Sequence, residues 1–147
     1  MTLQTRVFRY ETELEWQGAR RAEVRAPGRP ALHVTPPEGF PGSDIGHWNP
    51  ENLFMAALQS CTMLSFLAHC AHNGVEVISY HSTAAGELTR RDDNLRYAFR
   101  EIGMIVSVTV AGGHHGLAQS LTAKAERDCF ISASTNAEIE VAWRINE

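Results

Sequence analysis

Residues 50–72 (PENLFMAALQSCTMLSFLAHCAH) constrain the fold more than any other stretch of the chain. After Pro50 they hold neither Gly nor Pro, and they are apolar on nearly every side of a helix, with Gln59, Ser60, Thr62 and Ser65 as weakly polar exceptions. Asn49 is a good N-cap, Pro50 suits a first helical position where its missing N–H costs nothing, and Glu51 suits the positive end of the helix dipole. Trp48 and Leu53 flank the cap at the positions of a hydrophobic staple. Gly74 ends the helix, after His69 and His72 in its final turns. A helix apolar all round must be central, and in a chain of 147 residues that also argues for burial against a second copy.

The rest of the chain reads as strands and one further helix. Residues 5–16 alternate partially and predict a strand with one wet face; Gly18 supplies a turn; and two short strands follow between Arg21 and Val34, broken by Pro27, Gly28 and Pro30. Residues 35–49 hold three of the six prolines and predict a long ordered loop of the kind that borders binding sites. Residues 75–88 and 97–110 read as antiparallel neighbours joined by the charged turn 90–94. Leu117, Ala118, Leu121 and Ala125 are spaced for a helix over 115–128, and residues 138–145 alternate as a final strand. This order predicts one α+β domain over residues 1–147.

Composition narrows the function. A formal charge of −4 with no basic run longer than Arg20-Arg21 lacks the footprint of a nucleic-acid binder. No run of about 18 uninterrupted apolar residues and no apolar signal core after Met1 predict a cytoplasmic protein without a membrane partner. Three cysteines, Cys61, Cys70 and Cys129, then point to metal, redox or plain buried thiols rather than a structural disulfide framework. Zinc is the main rival for Cys61, Cys70, His69 and His72, but Cys61 and Cys70 stand about 2.5 turns apart and face opposite sides of their helix. No metal is expected, and His114-His115 reads as a solvated turn. Cys129, preceded by Glu126, Arg127 and Asp128, is expected to meet solvent more than Cys70 does.

The run Asn49-Pro50-Glu51-Asn52-Leu53-Phe54, then Ala56-Ala57 and Cys61, together with Ala125-Glu126-Arg127-Asp128-Cys129, resembles the two motifs of the OsmC/Ohr family of osmotically inducible and organic hydroperoxide resistance proteins. The resemblance implies antiparallel sheets around a long central helix, an intertwined homodimer, and a cysteine-based reduction of organic hydroperoxides without a cofactor. On that likeness Cys61 is the attacking and Cys129 the resolving cysteine, joined as a disulfide during the cycle, and Glu51 stands where the family places its glutamate. Arg20, with Arg21 and Arg25 close by, stands for the family's arginine, and a lipoyl-bearing protein or a small thiol for the dithiol reductant. Phe130, where a proline often follows the resolving cysteine, departs from the pattern.

Only a thiolate attacks a peroxide, and Cys61 is too far into its helix for the N-terminal dipole, so a cation such as Arg20 is expected to lower its pKa, with Glu51 holding the guanidinium. Glu51 and Cys61 lie ten residues apart, about 15 Å along a helix axis, so a second copy is expected to supply part of each site. Phe40, Trp48, Phe54 and Met55 are candidate walls of an apolar pocket preferring alkyl or lipid hydroperoxides. A non-enzymatic module for an apolar ligand or protein partner, and a thiol redox sensor, stand as alternatives.

Overall fold

A computed structural model describes residues 5–147. They gather into two compact units that divide after Leu53.

In the first unit, strands β1 (Glu13–Trp16), β2 (Ala22–Arg25) and β3 (Leu32–Val34) form an antiparallel sheet in that order. Only the last four residues of the strand expected over 5–16 pair with a neighbour, because the register set by the Gly18 turn matches Glu13 with Arg25 and β2 goes no further. Gly18 and Ala19 both take positive φ in that turn. The 35–49 loop is ordered by its own polar groups. Thr35 is buried, its hydroxyl accepts the Asp44 N–H at 3.2 Å, and its own N–H reaches the Trp48 carbonyl at 3.0 Å.

The helix α1 runs over Pro50–His72, as the sequence predicts. Asn49 and Asn52 close its start reciprocally: Asn52 N–H donates to Asn49 Oδ1 at 2.7 Å, and Asn49 N–H to Asn52 Oδ1 at 3.4 Å. Asn52 thus takes the part that Glu or Gln plays in a capping box. At the other end Gly74 adopts a positive φ. By length and composition α1 could cross a membrane, but its Leu58, Phe66 and Cys70 are buried in a protein core.

That core lies in the second unit, where α1 packs on a sheet of β4 (Val77–Arg90), β5 (Tyr97–Val110) and β6 (Glu138–Asn146). Strand β5 has strict period two: Ile102, Met104, Val106, Val108 and Val110 are buried on one face, each stabilising the fold by roughly 1.5–3 kcal/mol. Phe66 sits among them, its ring 4.9 Å from that of Trp143 and 6.3 Å from that of Tyr80. β4 and β5 are antiparallel as expected, but β6 adds to the free edge of β5 in parallel. The intervening helices α2 (His115–Arg127) and α3 (Phe130–Ala133) carry the chain back across that face. Ala118, Leu121 and Ala125 bury α2 against the same core. The α3 turn is absent from the sequence reading, being too short for periodicity to show.

Within the chain only one stripe of α1 is fully buried, Leu58, Thr62, Phe66 and Cys70, at a spacing of four. Leu64, on another side, is 60% exposed.

Candidate functional site

Cys61 lies on α1 outside the buried stripe, half-buried, while Cys129 is 1% exposed. The expectation that Cys129 meets solvent more than Cys70 does is not met, both being 1% exposed. Cys129 follows the C-cap of α2 and serves as the N-cap of α3, with extended backbone, so its side chain turns inward, and its Sγ accepts the Ser132 N–H at 3.4 Å. The Thr62 hydroxyl, which donates to the Leu58 carbonyl at 2.9 Å, lies 3.7 Å from the same sulfur.

The thiols of Cys61 and Cys129 are neighbours, and all three cysteines are free. The backbone N–H groups of Phe130 and Ile131 point at Cys61. Successive N–H groups of the first α3 turn therefore serve both sulfurs, Phe130 and Ile131 facing Cys61 and Ser132 facing Cys129. They favour negative charge on sulfur, because N–H groups at a helix start have no intrahelical partner. Burial works the other way and is the stronger influence: it pushes the Cys61 thiol above its usual value, the Phe130 and Ile131 N–H groups lower it, and Cys129 raises it further. The lowered pKa expected for Cys61 is thus not produced by its surroundings among the described residues.

The two cysteines open onto a depression of about 840 Å3, walled chiefly by Ala57, Leu64, Ala68, Phe130, Ile131 and Ala133. Ser65, His69, Arg127 and Asp128 complete it. Apolar walls with few polar groups suit a ligand that is mostly hydrocarbon.

Phe54 and Met55 do not line this depression. Phe54 stacks on Phe99 with centroids 5.3 Å apart, and Met55 packs against the core. Gly86 makes room for that stack, since a Cβ there would come within 3.0 Å of the Phe99 ring. In the N-terminal unit, Phe40 and Trp48 are exposed residues of the 35–49 loop. Arg20 lies over Gly42 and donates to the Pro41 carbonyl at 3.3 Å. Arg25 is engaged by Glu23 and Glu15, and Arg21 lies near Asp44. Glu51 stands in the first turn of α1, and its Oε2 is buried without a hydrogen-bond partner among the described residues.

Sequence reasoning missed three contributors. The Phe130 and Ile131 donors are backbone groups, which no residue pattern announces. His69 Nε2–H donates to Asp128 Oδ2 at 2.8 Å, across 59 residues; the available signal was a polar stripe, Thr62, Ser65 and His69, along an apolar helix. Tyr80 carries a buried hydroxyl without a partner among the described residues, and burial, with Cys129 nearby, pushes its pKa up to about 12. Among the described residues no group of three or more His, Cys, Asp or Glu could hold a metal ion.

A family model described as OsmC-like protein matches residues 41–144. None of the curated proteins matches the sequence. The fold is similar to that of an OsmC-like protein of unknown function from Vibrio cholerae, with a TM-score of 0.84 at 22% identity over 95% of this chain and 99% of that one. It is also similar to an organic hydroperoxide resistance protein from Elizabethkingia anophelis, with a TM-score of 0.71 at 20% identity over 99% of both chains. A third likeness is to an organic hydroperoxide resistance protein from Legionella pneumophila, at 0.69 and 19% over 97% of this chain and 100% of that one. At such identities the likeness shows a shared fold.

Proposed function

Since this chain belongs to the OsmC-like protein family, we propose that it is a cytoplasmic thiol peroxidase that reduces organic hydroperoxides to alcohols with Cys61 as the attacking sulfur. The observation that carries the reading is the pairing of Cys61 and Cys129 in the lining of an apolar depression, with backbone N–H groups beside both sulfurs.

In the cycle the Cys61 thiolate attacks the peroxide oxygen distal to the alkyl group. An S–O bond forms as the O–O bond breaks, and the alkoxide leaves as alcohol after taking a proton. The Cys129 thiolate then attacks the sulfur of the Cys61 sulfenic acid, closing an S–S bond and releasing water. An external dithiol, from a lipoyl-bearing protein or a small thiol, reduces the bridge by exchange. The Phe130 and Ile131 N–H groups contribute by holding negative charge at Cys61 before the attack. The apolar walls favour alkyl or lipid hydroperoxides over hydrogen peroxide.

Within this scheme Arg20 supplies the cation that brings the Cys61 thiol down against burial, and Glu51 holds that guanidinium. The unpartnered Oε2 of Glu51 supports the second role, because a buried carboxylate oxygen without a donor costs stability until a cation or N–H reaches it. The working unit is a homodimer. Apolar residues left open on one chain support this, among them Leu64 on α1 and Trp16, 70% exposed, on β1.

The test is a coupled peroxidase assay with cumene hydroperoxide and dihydrolipoamide on wild type, Cys61→Ser and Cys129→Ser. Turnover by wild type is expected, with Cys61→Ser slower by a factor on the order of 10³ or more, the scale lost when a covalent nucleophile is removed. Cys129→Ser is expected to consume one equivalent and stall. Absence of wild-type turnover with every dithiol, despite stoichiometric oxidation, favours the sensor reading.

A further inference from the structure

Cys129 sits on a joint. Arg127 ends α2 and Cys129 caps α3, so Asp128 alone separates them, and a small backbone rotation there redirects the Cys129 sulfur. Disulfide geometry leaves little room for such drift: the sulfurs must close to about 2.05 Å with a Cβ–S–S–Cβ dihedral near 90°.

Helix α1 grips this joint along one face, at Thr62, Ser65 and His69. Thr62 Oγ1 is 3.7 Å from Cys129 Sγ, Ser65 Oγ donates to the Ala125 carbonyl at 2.8 Å, and His69 Nε2–H donates to Asp128 Oδ2 at 2.8 Å. The carboxylate is gripped from its other side by Arg127, whose Nε and Nη2 donate to Oδ1 and Oδ2 at 2.8 Å each. This fork fixes the plane of the Asp128 carboxylate and turns one oxygen toward His69. The same α1 carries Cys61 next to Thr62, so the element that bears one sulfur also fastens the joint that bears the other.

We infer that His69, acting through Asp128, is a positioning residue that holds the Asp128–Cys129 joint so that Cys129 Sγ stays beside Cys61 for closure of their bridge. Its use in a catalytic cycle rests on the peroxidase reading, whereas the geometry it claims does not. In that cycle His69 affects the second step, in which the Cys61–Cys129 bond forms as the S–O bond of the sulfenic acid breaks and hydroxide departs with a proton as water. It touches neither sulfur, and without it the Arg127–Asp128 fork has no tie to α1, which then holds the joint only through Thr62 and Ser65.

Two oxidants separate the claims. One equivalent of cumene hydroperoxide tests both steps, with dimedone trapping of sulfenic acid and mass spectrometry of the bridge at timed quenches. Diamide takes two electrons and two protons from neighbouring thiols without a peroxide, so it tests closure alone. In His69→Ala the ratio of bridge formation to Cys61 oxidation is expected to fall about five-fold, the scale of one lost charge-assisted contact at a partly exposed site, with dimedone adduct accumulating. His69→Gln, which keeps an N–H donor, is expected to recover part of the rate. The His69→Ala/Asp128→Ala double variant should be no slower than Asp128→Ala alone, because His69 acts only through Asp128. Bridge formation by His69→Ala at the wild-type rate with both oxidants, or additive losses in the double variant, would overturn the inference. A wild type inert to hydroperoxide, with closure by diamide still slowed in His69→Ala, sinks the peroxidase reading and leaves the positioning role standing.

Discussion

Two cysteines on the same helix, nine residues apart, have opposite surroundings. Cys70 belongs to the buried stripe of α1, is 1% exposed, and has its pKa raised by burial alone. Cys61 is also raised by burial, but backbone N–H groups oppose the shift, a second thiol adjoins it, and an apolar depression opens beside it. The helix gives both residues the same backbone, so the difference lies in what is packed opposite. A sheet face faces one side, and the α2–α3 joint faces the other. Burial makes a thiol inert; donors and access make it chemical.

The core side should break most severely. Phe66→Ala removes the ring that contacts Tyr80 and Trp143 and is expected to cost about 3–5 kcal/mol in denaturant unfolding. A loss under about 1 kcal/mol would mean that the core is not where the fold places it. On the open side, Leu64→Lys should leave the folded chain intact while shifting a dimer toward monomer in sedimentation. Each copy then loses roughly 1.5–3 kcal/mol of leucine burial at the interface. An unchanged sedimentation coefficient would put the interface elsewhere.

The smallest effect concerns charge at Cys61. Its environment within the chain holds the thiol above its usual value. The sign of the linkage follows: stability from keeping this thiol neutral is fully present below the unfolded-state pKa and is lost as pH rises through the folded-state value. If Arg20 acts as proposed, the pH profile of Cys61 alkylation by iodoacetamide lies lower in wild type than in Arg20→Ala, with Cys70 unreactive until unfolding in both. Superimposed profiles would remove Arg20 from the site.

The residues reveal some of this and hide the rest for physical reasons. The bounds of α1 are legible because Asn49, Pro50 and Gly74 are local signals that act within one turn, and β5 is legible because its burial alternates strictly. The parallel seat of β6 is not, since alternation reports a buried face and not the direction of the neighbour. Nor is the partial strand at residues 5–12, where alternation exists without a pairing partner in β2. The two sulfurs stand out only through their likeness to family motifs. Their contact, the inward turn of Cys129 and the His69–Asp128 bond are tertiary, joining α1 to a joint about sixty residues away. The α3 donors belong to the backbone and leave no trace in side chains.

The proposed pairing of Cys61 and Cys129 on organic hydroperoxides underlies every other step. Its most direct test is peptide mapping of the whole protein after one equivalent of cumene hydroperoxide, under conditions that block free thiols. A Cys61–Cys129 bridge is expected in most molecules, with Cys70 recovered as a free thiol. Recovery of all three thiols, or a bridge that includes Cys70, would contradict it.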